Sequence, residues 1–147
     1  MDEVITRWFW GKCVAEPYTV IFMETWMSGV RLKSIKVLEH DKIVYSADKN
    51  LTITFSKETL HAHLRSKYPS QIIIQSNDKD FPLELILNCE ELIDSKDLLK
   101  GVKPIISWLI KCLVARPAYY GIRSTAILET PNQKLEGFGI YELMLFR

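Results

Sequence analysis

Cysteine is scarce and scattered: Cys13, Cys89 and Cys112 are odd in number and contain no Cys-x-x-Cys pair. That argues against a disulfide framework and fits reduced thiols in a cytoplasm. An excess of charge of one sign is also lacking. Nineteen Lys and Arg against 18 Asp and Glu leave a net charge of +1, too weak a field to point to nucleic acid or an anionic membrane. No long apolar run exists. The longest, residues 104–115, is interrupted by Ser107 and Lys111 and falls short of the roughly 20 residues a membrane span needs. The amino-terminal Met1-Asp2-Glu3-Val4-Ile5-Thr6-Arg7 places two acids where a signal peptide carries positive charge, so a cytoplasmic location is expected. Gly-x-Ser-x-Gly, phosphate-loop, Gly-x-Gly-x-x-Gly and His-Glu-x-x-His motifs are all missing, which removes the common hydrolase, nucleotide and metalloprotease readings. No motif implies a cofactor.

What is present is the material of a globular core. Hydrophobic residues make up 48% of the 147 and charged residues 25%, enough for one domain, 1–147, to bury a continuous core without metals or disulfides. The dominant pattern is alternation with period two, broken by turn residues. Runs at 5–15 and 18–27 flank Glu16-Pro17, and Ser28-Gly29 closes the second. Residues 31–38 then alternate, with Lys33, Ile35 and Val37 on one side, up to a turn at His40-Asp41. Runs at 42–46 and 51–56 flank a polar stretch and are expected to form a half-solvated hairpin, and a further strand is expected at 59–66 before a break at Lys67-Tyr68-Pro69. Strands at 71–76 and 83–89 follow, separated by Asn77-Asp78-Lys79-Asp80. Strands at such short, even intervals predict a meander that closes into a barrel.

One segment departs from this period. After the polar stretch 90–100, Pro104 stands at a helix N1 position, and Ile105, Ile106, Leu109, Ile110, Leu113 and Val114 recur at helical spacing until Pro117. A single helix at about 104–115 is expected, followed by long strands at 118–129 and 136–146 joined by Thr130-Pro131-Asn132-Gln133-Lys134. Because closure alone removes exposed strand edges, residues 138–146 are expected to pair with the first strand. Gly137 and Gly139, at the start of that last strand, suit a bulge or a close backbone approach.

Three segments carry a resemblance. Arg7-Trp8-Phe9-Trp10-Gly11 with Tyr18-Thr19-Val20, Arg116-Pro117-Ala118-Tyr119-Tyr120, and Gly137-Phe138-Gly139-Ile140-Tyr141-Glu142-Leu143-Met144 together resemble the carboxy-terminal barrel of the lipocalin-like family that includes hydroxyneurosporene synthase, AttH-like proteins and pericyclase relatives. The resemblance implies an antiparallel lipocalin-like barrel with an apolar cavity. It also implies a tandem architecture, in which a second barrel and a His-Asp-His segment precede the Trp-x-Trp-Gly motif. This sequence starts just after that point, so chemistry depending on the preceding barrel is not expected to be carried within it.

Aromatic mass gathers on the first hairpin, in Trp8, Phe9, Trp10, Phe22 and Trp26. Trp8 and Trp10 share a face, being two apart on a strand. Trp8, Trp10, Phe22 and Trp26, with Arg123 and Tyr141 from the last two strands, are the expected lining for a small hydrophobic ligand. Glu24 and Glu142 stand among apolar neighbours, with Arg123 the obvious partner for either if both lie inside the barrel. Were the family's hydratase or isomerase chemistry retained, one of these carboxyls would be the general acid toward an isoprenoid-like alkene. His61 and His63 form a His-x-His pair of a kind metal sites use, although a solvent-facing strand explains them as simply, and no metal is expected. The leading expectation is a lipocalin-like binding module without catalysis. The alternatives are an assembly subunit that dimerises or joins a separate amino-terminal barrel, and a hydratase or isomerase.

Overall fold

A computed structural model of the chain describes residues 5–61, 67–97, 103–104 and 118–146. Among these residues, nine strands form one antiparallel sheet: β1 (Ile5–Ala15), β2 (Tyr18–Met27), β3 (Val30–Glu39), β4 (Lys42–Ala47), β5 (Leu51–Leu60), β6 (Lys67–Ser76), β7 (Leu83–Asp97), β8 (Ala118–Thr130) and β9 (Gln133–Leu145). Their order in the sheet is β4-β3-β2-β1-β9-β8-β7-β6-β5. The last strand pairs with the first as expected, from Arg7 opposite Leu145 to Val14 opposite Phe138. That pairing lies at the centre of the sheet. The seam is elsewhere, between β4 and β5, which pair with no further strand among the described residues, so the hairpin expected from 42–46 and 51–56 does not form: each arm pairs with its other neighbour, β4 with β3 and β5 with β6.

Local chemistry sets the hairpins. Ser28-Gly29 and His40-Asp41 are two-residue turns with positive φ at both positions, 48° and 83° in one and 46° and 65° in the other. This turn geometry twists in the same sense as the strands it joins. At the β1–β9 junction the backbones meet so closely that a Cβ on Gly137 would collide with the Val14 carbonyl, as the glycines at the start of the last strand suggested.

Burial alternates along the strands, and the inner rows are apolar over most of their length. Phe9, Cys13, Val20, Phe22, Ile35 and Val37 carry it on β1 to β3, and Ile72, Leu85, Tyr120 and Leu143 continue it round the sheet. The sheet curls until these rows meet: Phe55 of β5 lies edge-on to Phe9 of β1 at 5.1 Å, and the Tyr141 hydroxyl of β9 donates to the Pro69 carbonyl of β6 at 3.1 Å. Each fully buried side chain of this size contributes about 1.5–3 kcal/mol, and together they hold the curl without any covalent link.

The last strand begins at Gln133 rather than 136, which shortens the expected turn to Pro131-Asn132, and three boundaries differ by more. The strand expected at 51–56 does not stop there, since β5 runs through Lys57 and Glu58 to Leu60. Lys67-Tyr68-Pro69 is the start of β6 rather than a break. Proline is tolerated because pairing with β7 begins only at Gln71, so its missing N–H costs that ladder nothing. The polar stretch from Glu90 continues β7 to Asp97, paired with β8 alone beyond Asn88. Irregularities between Cys89 and Glu91 and between Leu92 and Asp94 shift the register there, which erases the alternation that would have marked a strand. The helix expected at 104–115 lies outside the described residues except for Pro104, as do residues 62–66 of the strand expected at 59–66.

Candidate functional site

The inner rows change character where β1 begins, β2 ends and β3 begins. On β1 the row that runs through Phe9 and Cys13 continues to Arg7; on β2, Val20 and Phe22 are followed by Glu24 and Trp26; on β3, Ile35 is followed by Lys33 and Arg31. Cross-strand register sets Trp26 opposite both Arg7 and Arg31. The Arg7 guanidinium lies 3.8 Å from the centre of the Phe55 ring and 5.4 Å from that of Trp26, while the Arg31 guanidinium lies 4.3 Å from Trp26. Stacking of this kind is worth about 0.5–2 kcal/mol per pair.

Glu24 is the one buried charge of the described residues, with 1% of its side chain exposed. Both the Nε and an Nη of Arg31 donate to its Oε1, at 2.8 and 2.7 Å. Arg31 therefore fills the role expected of Arg123. Arg123 points outward between buried Ile122 and Ser124, and it pairs with Glu91 at 2.6 Å and Glu90 at 3.5 Å on the surface. Burial lowers the Arg7 pKa, with the charge of Glu24 acting the other way.

The other sequence-picked residues divide between core and outer face. Phe22 and Tyr141 are core: Phe9 stacks on Phe22 at 5.4 Å and meets Tyr141 at 5.9 Å, which fills the barrel beneath Arg7 and Trp26. Burial pushes the Tyr141 hydroxyl well above its ordinary value. Trp8 and Trp10 share a face as expected, and it is the outer one, with their rings 6.1 Å apart. There Trp10 Nε1 donates to Glu142 at 2.7 Å. Burial, then a hydrogen bond to Glu142 and the charge of that carboxylate, push Tyr119 up to about 12. Neither Glu24 nor Glu142 pairs with Arg123, and both accept hydrogen bonds from other side chains.

His61 contacts Ser95 at 3.2 Å and packs near the Tyr120 ring, whereas His63 lies outside the described residues. No group of three or more His, Cys, Asp or Glu that could hold a metal occurs among the described residues. No helix among them is long and apolar enough to cross a membrane. An open groove of about 360 Å³ lies where β6 ends and β7 begins, lined by Gln75, Pro82, Glu84, Glu129 and Pro131 among others. None of the sequence-picked residues lines it.

Arg7, Arg31 and Phe55 were missed from sequence, although a signal for two of them existed. A two-residue turn at Ser28-Gly29 necessarily pairs Trp26 with Arg31, and Arg7 shares the parity of Phe9. Phe55 offered no such signal, because it reaches Arg7 only through the curl of the sheet.

No family model matches the chain, and no curated protein matches it in sequence. Solved structures do. Kievitone hydratase from Nectria haematococca superposes on 97% of this chain with a TM-score of 0.63 at 14% identity. An AttH-like protein from Nitrosomonas europaea superposes on 97% with a TM-score of 0.66 at 10% identity. The fold is lipocalin-like and AttH-like. The chain spans about two fifths of each of these proteins, 40% of the first and 39% of the second.

Proposed function

We propose that this chain is a lipocalin-like binding module that takes a small, largely apolar ligand at the end of the barrel where β1 begins. Trp26 and Phe55 form the walls, Phe9 the floor with Phe22 and Tyr141 packed behind it, and Arg7 and Glu24 meet the polar part of the ligand. The observation that carries this reading is the change along the inner rows from uninterrupted hydrocarbon to Arg7, Glu24, Trp26 and Arg31. A barrel stabilised by hydrophobic burial gains nothing from charges on its inner face, whereas ligand sites combine apolar walls with a few convergent polar groups. Native mass spectrometry of the protein, with solvent extraction of whatever co-purifies, tests this. A bound small molecule that is lost from Trp26→Ala and retained by Trp10→Ala is the expected result; retention by both variants would place the ligand elsewhere.

A second reading, the assembly subunit, rests on a different observation. Trp10, Ile21, Met23, Phe138 and Ile140 are 36–60% exposed on the outer face of β2, β1 and β9, grouped around Lys12 of β1, and exposed apolar side chains gathered in this way mark interaction surfaces. Sedimentation of the pure protein decides it. Association abolished by Ile140→Lys supports an assembly role, and a monomer at all concentrations removes self-association.

A further inference from the structure

Three buried polar atoms in this cluster have no hydrogen-bond partner among the described residues: Arg7 Nε, Glu24 Oε2 and Trp26 Nε1. Each unmet group of this kind costs about 1–3 kcal/mol, and native proteins keep few of them without a reason. These three are neighbours. Trp26 stands opposite Arg7 in the ladder, Arg31 lies over Trp26 and holds the other oxygen of Glu24, and the charge of Glu24 acts on Arg7.

Their chemistry is complementary. Two are donors, a guanidinium N–H and an indole N–H, and one is a carboxylate acceptor. A hydroxyl group satisfies all three at once, donating its proton to Glu24 Oε2 and accepting from Arg7 and Trp26 through its two lone pairs. A ligand carboxylate would meet both donors but set its charge against Glu24, and an ammonium would meet Glu24 and leave both donors unmet.

Building on the ligand-binding function proposed above, we propose that this end of the barrel selects a neutral hydroxyl-bearing apolar molecule, an alcohol or phenol, held by Glu24, Arg7 and Trp26. The aromatic walls and the Phe9 floor take its hydrocarbon body, and selectivity comes from the three polar atoms that no group of the described residues meets.

Calorimetric titration of the full chain at neutral pH with 2-naphthol, naphthalene and 2-naphthoate tests the assignment. The three probes share a body and differ in the head group. The expected result is binding of 2-naphthol at least tenfold tighter than either of the others. Trp26→Phe, which keeps a ring and deletes the donor, then reduces the preference for 2-naphthol over naphthalene below threefold. Arg7→Lys, which keeps the charge and moves the donor, does the same and serves if Trp26→Phe fails to fold. Tightest binding of 2-naphthoate overturns the hydroxyl assignment and leaves the binding module standing. A preference for 2-naphthol that survives both variants places the site elsewhere and overturns the assignment. If none of the probes binds, the hydroxyl assignment is overturned, while the native mass spectrum decides the proposed function separately.

Discussion

Replacing Arg31 by Met gives the sharpest test of how this barrel tolerates an inner charge. Methionine preserves an unbranched stem over the Trp26 ring, so the change chiefly removes the two donors that hold Glu24 Oε1 at 2.7 and 2.8 Å. The carboxylate left behind is 1% exposed and its other oxygen already has no partner among the described residues. Breaking a fully buried pair from one side costs about 3–5 kcal/mol, because an uncompensated charge remains. Arg31 is itself 42% exposed, so water reaches the gap and the expected loss is lower, about 2–3 kcal/mol. For a chain of this size that corresponds to a fall in Tm of roughly 6–10 °C.

The double variant Glu24→Leu/Arg31→Met removes both charges and is expected to lie within about 1 kcal/mol of the parent, since apolar replacement of a buried pair is often neutral or stabilising. Urea unfolding followed by far-ultraviolet circular dichroism measures all the terms of the cycle. A loss under about 1 kcal/mol for Arg31→Met, or a double variant as destabilised as the sum of the single ones, would refute the reasoning, because either means that the pair does not compensate a desolvated charge.

Gly137→Ala is expected to cost about 3 kcal/mol or more, the upper range of overpacking, because its Cβ meets the Val14 backbone rather than a movable side chain; a Tm unchanged in thermal melts would contradict that contact. Cys13 is buried and its pKa is raised from 9.0 to about 12 by desolvation, so its thiolate fraction at pH 8 falls by about a thousandfold. Mass mapping after brief alkylation should find Cys13 unlabelled in the native protein and labelled in urea, and rapid native labelling would show that β1 opens. Burial pushes Tyr120 up to about 12 from 10.0, so between those values the unfolded chain loses the proton first. The contribution is complete below pH 10 and is lost as pH rises through 12, about 2–3 kcal/mol from Tyr120 alone. Urea midpoints that stay flat from pH 9 to 12 would exclude it.

The strands of the two amino-terminal hairpins were legible in the sequence because alternation and turn chemistry are local. Residues 5–15 and 18–27 coincide with β1 and β2, and Ser28-Gly29 and His40-Asp41 are the turns they looked like. The pairing of the last strand with the first was legible too, from the general need to cover strand edges. Where register irregularities broke the alternation, along Glu90 to Asp97, the sequence carried no strand signal although pairing with β8 persists.

The site was only half legible. Period two placed Glu24 and Trp26 on one face, and likewise Trp8 and Trp10, yet it is blind to which face turns inward. That was decided by the direction in which the sheet curls, and it sent Trp8 and Trp10 out and Glu24 in. The partner of Glu24 and the aromatic wall facing Arg7 were decided at the same level. Arg31 is reached across a hairpin and Phe55 across the barrel, 48 residues from Arg7 along the chain and 3.8 Å away in space. Alternation is a property of neighbours in sequence, whereas the pairing of a buried charge depends on which side chains the closing sheet brings within a few ångströms.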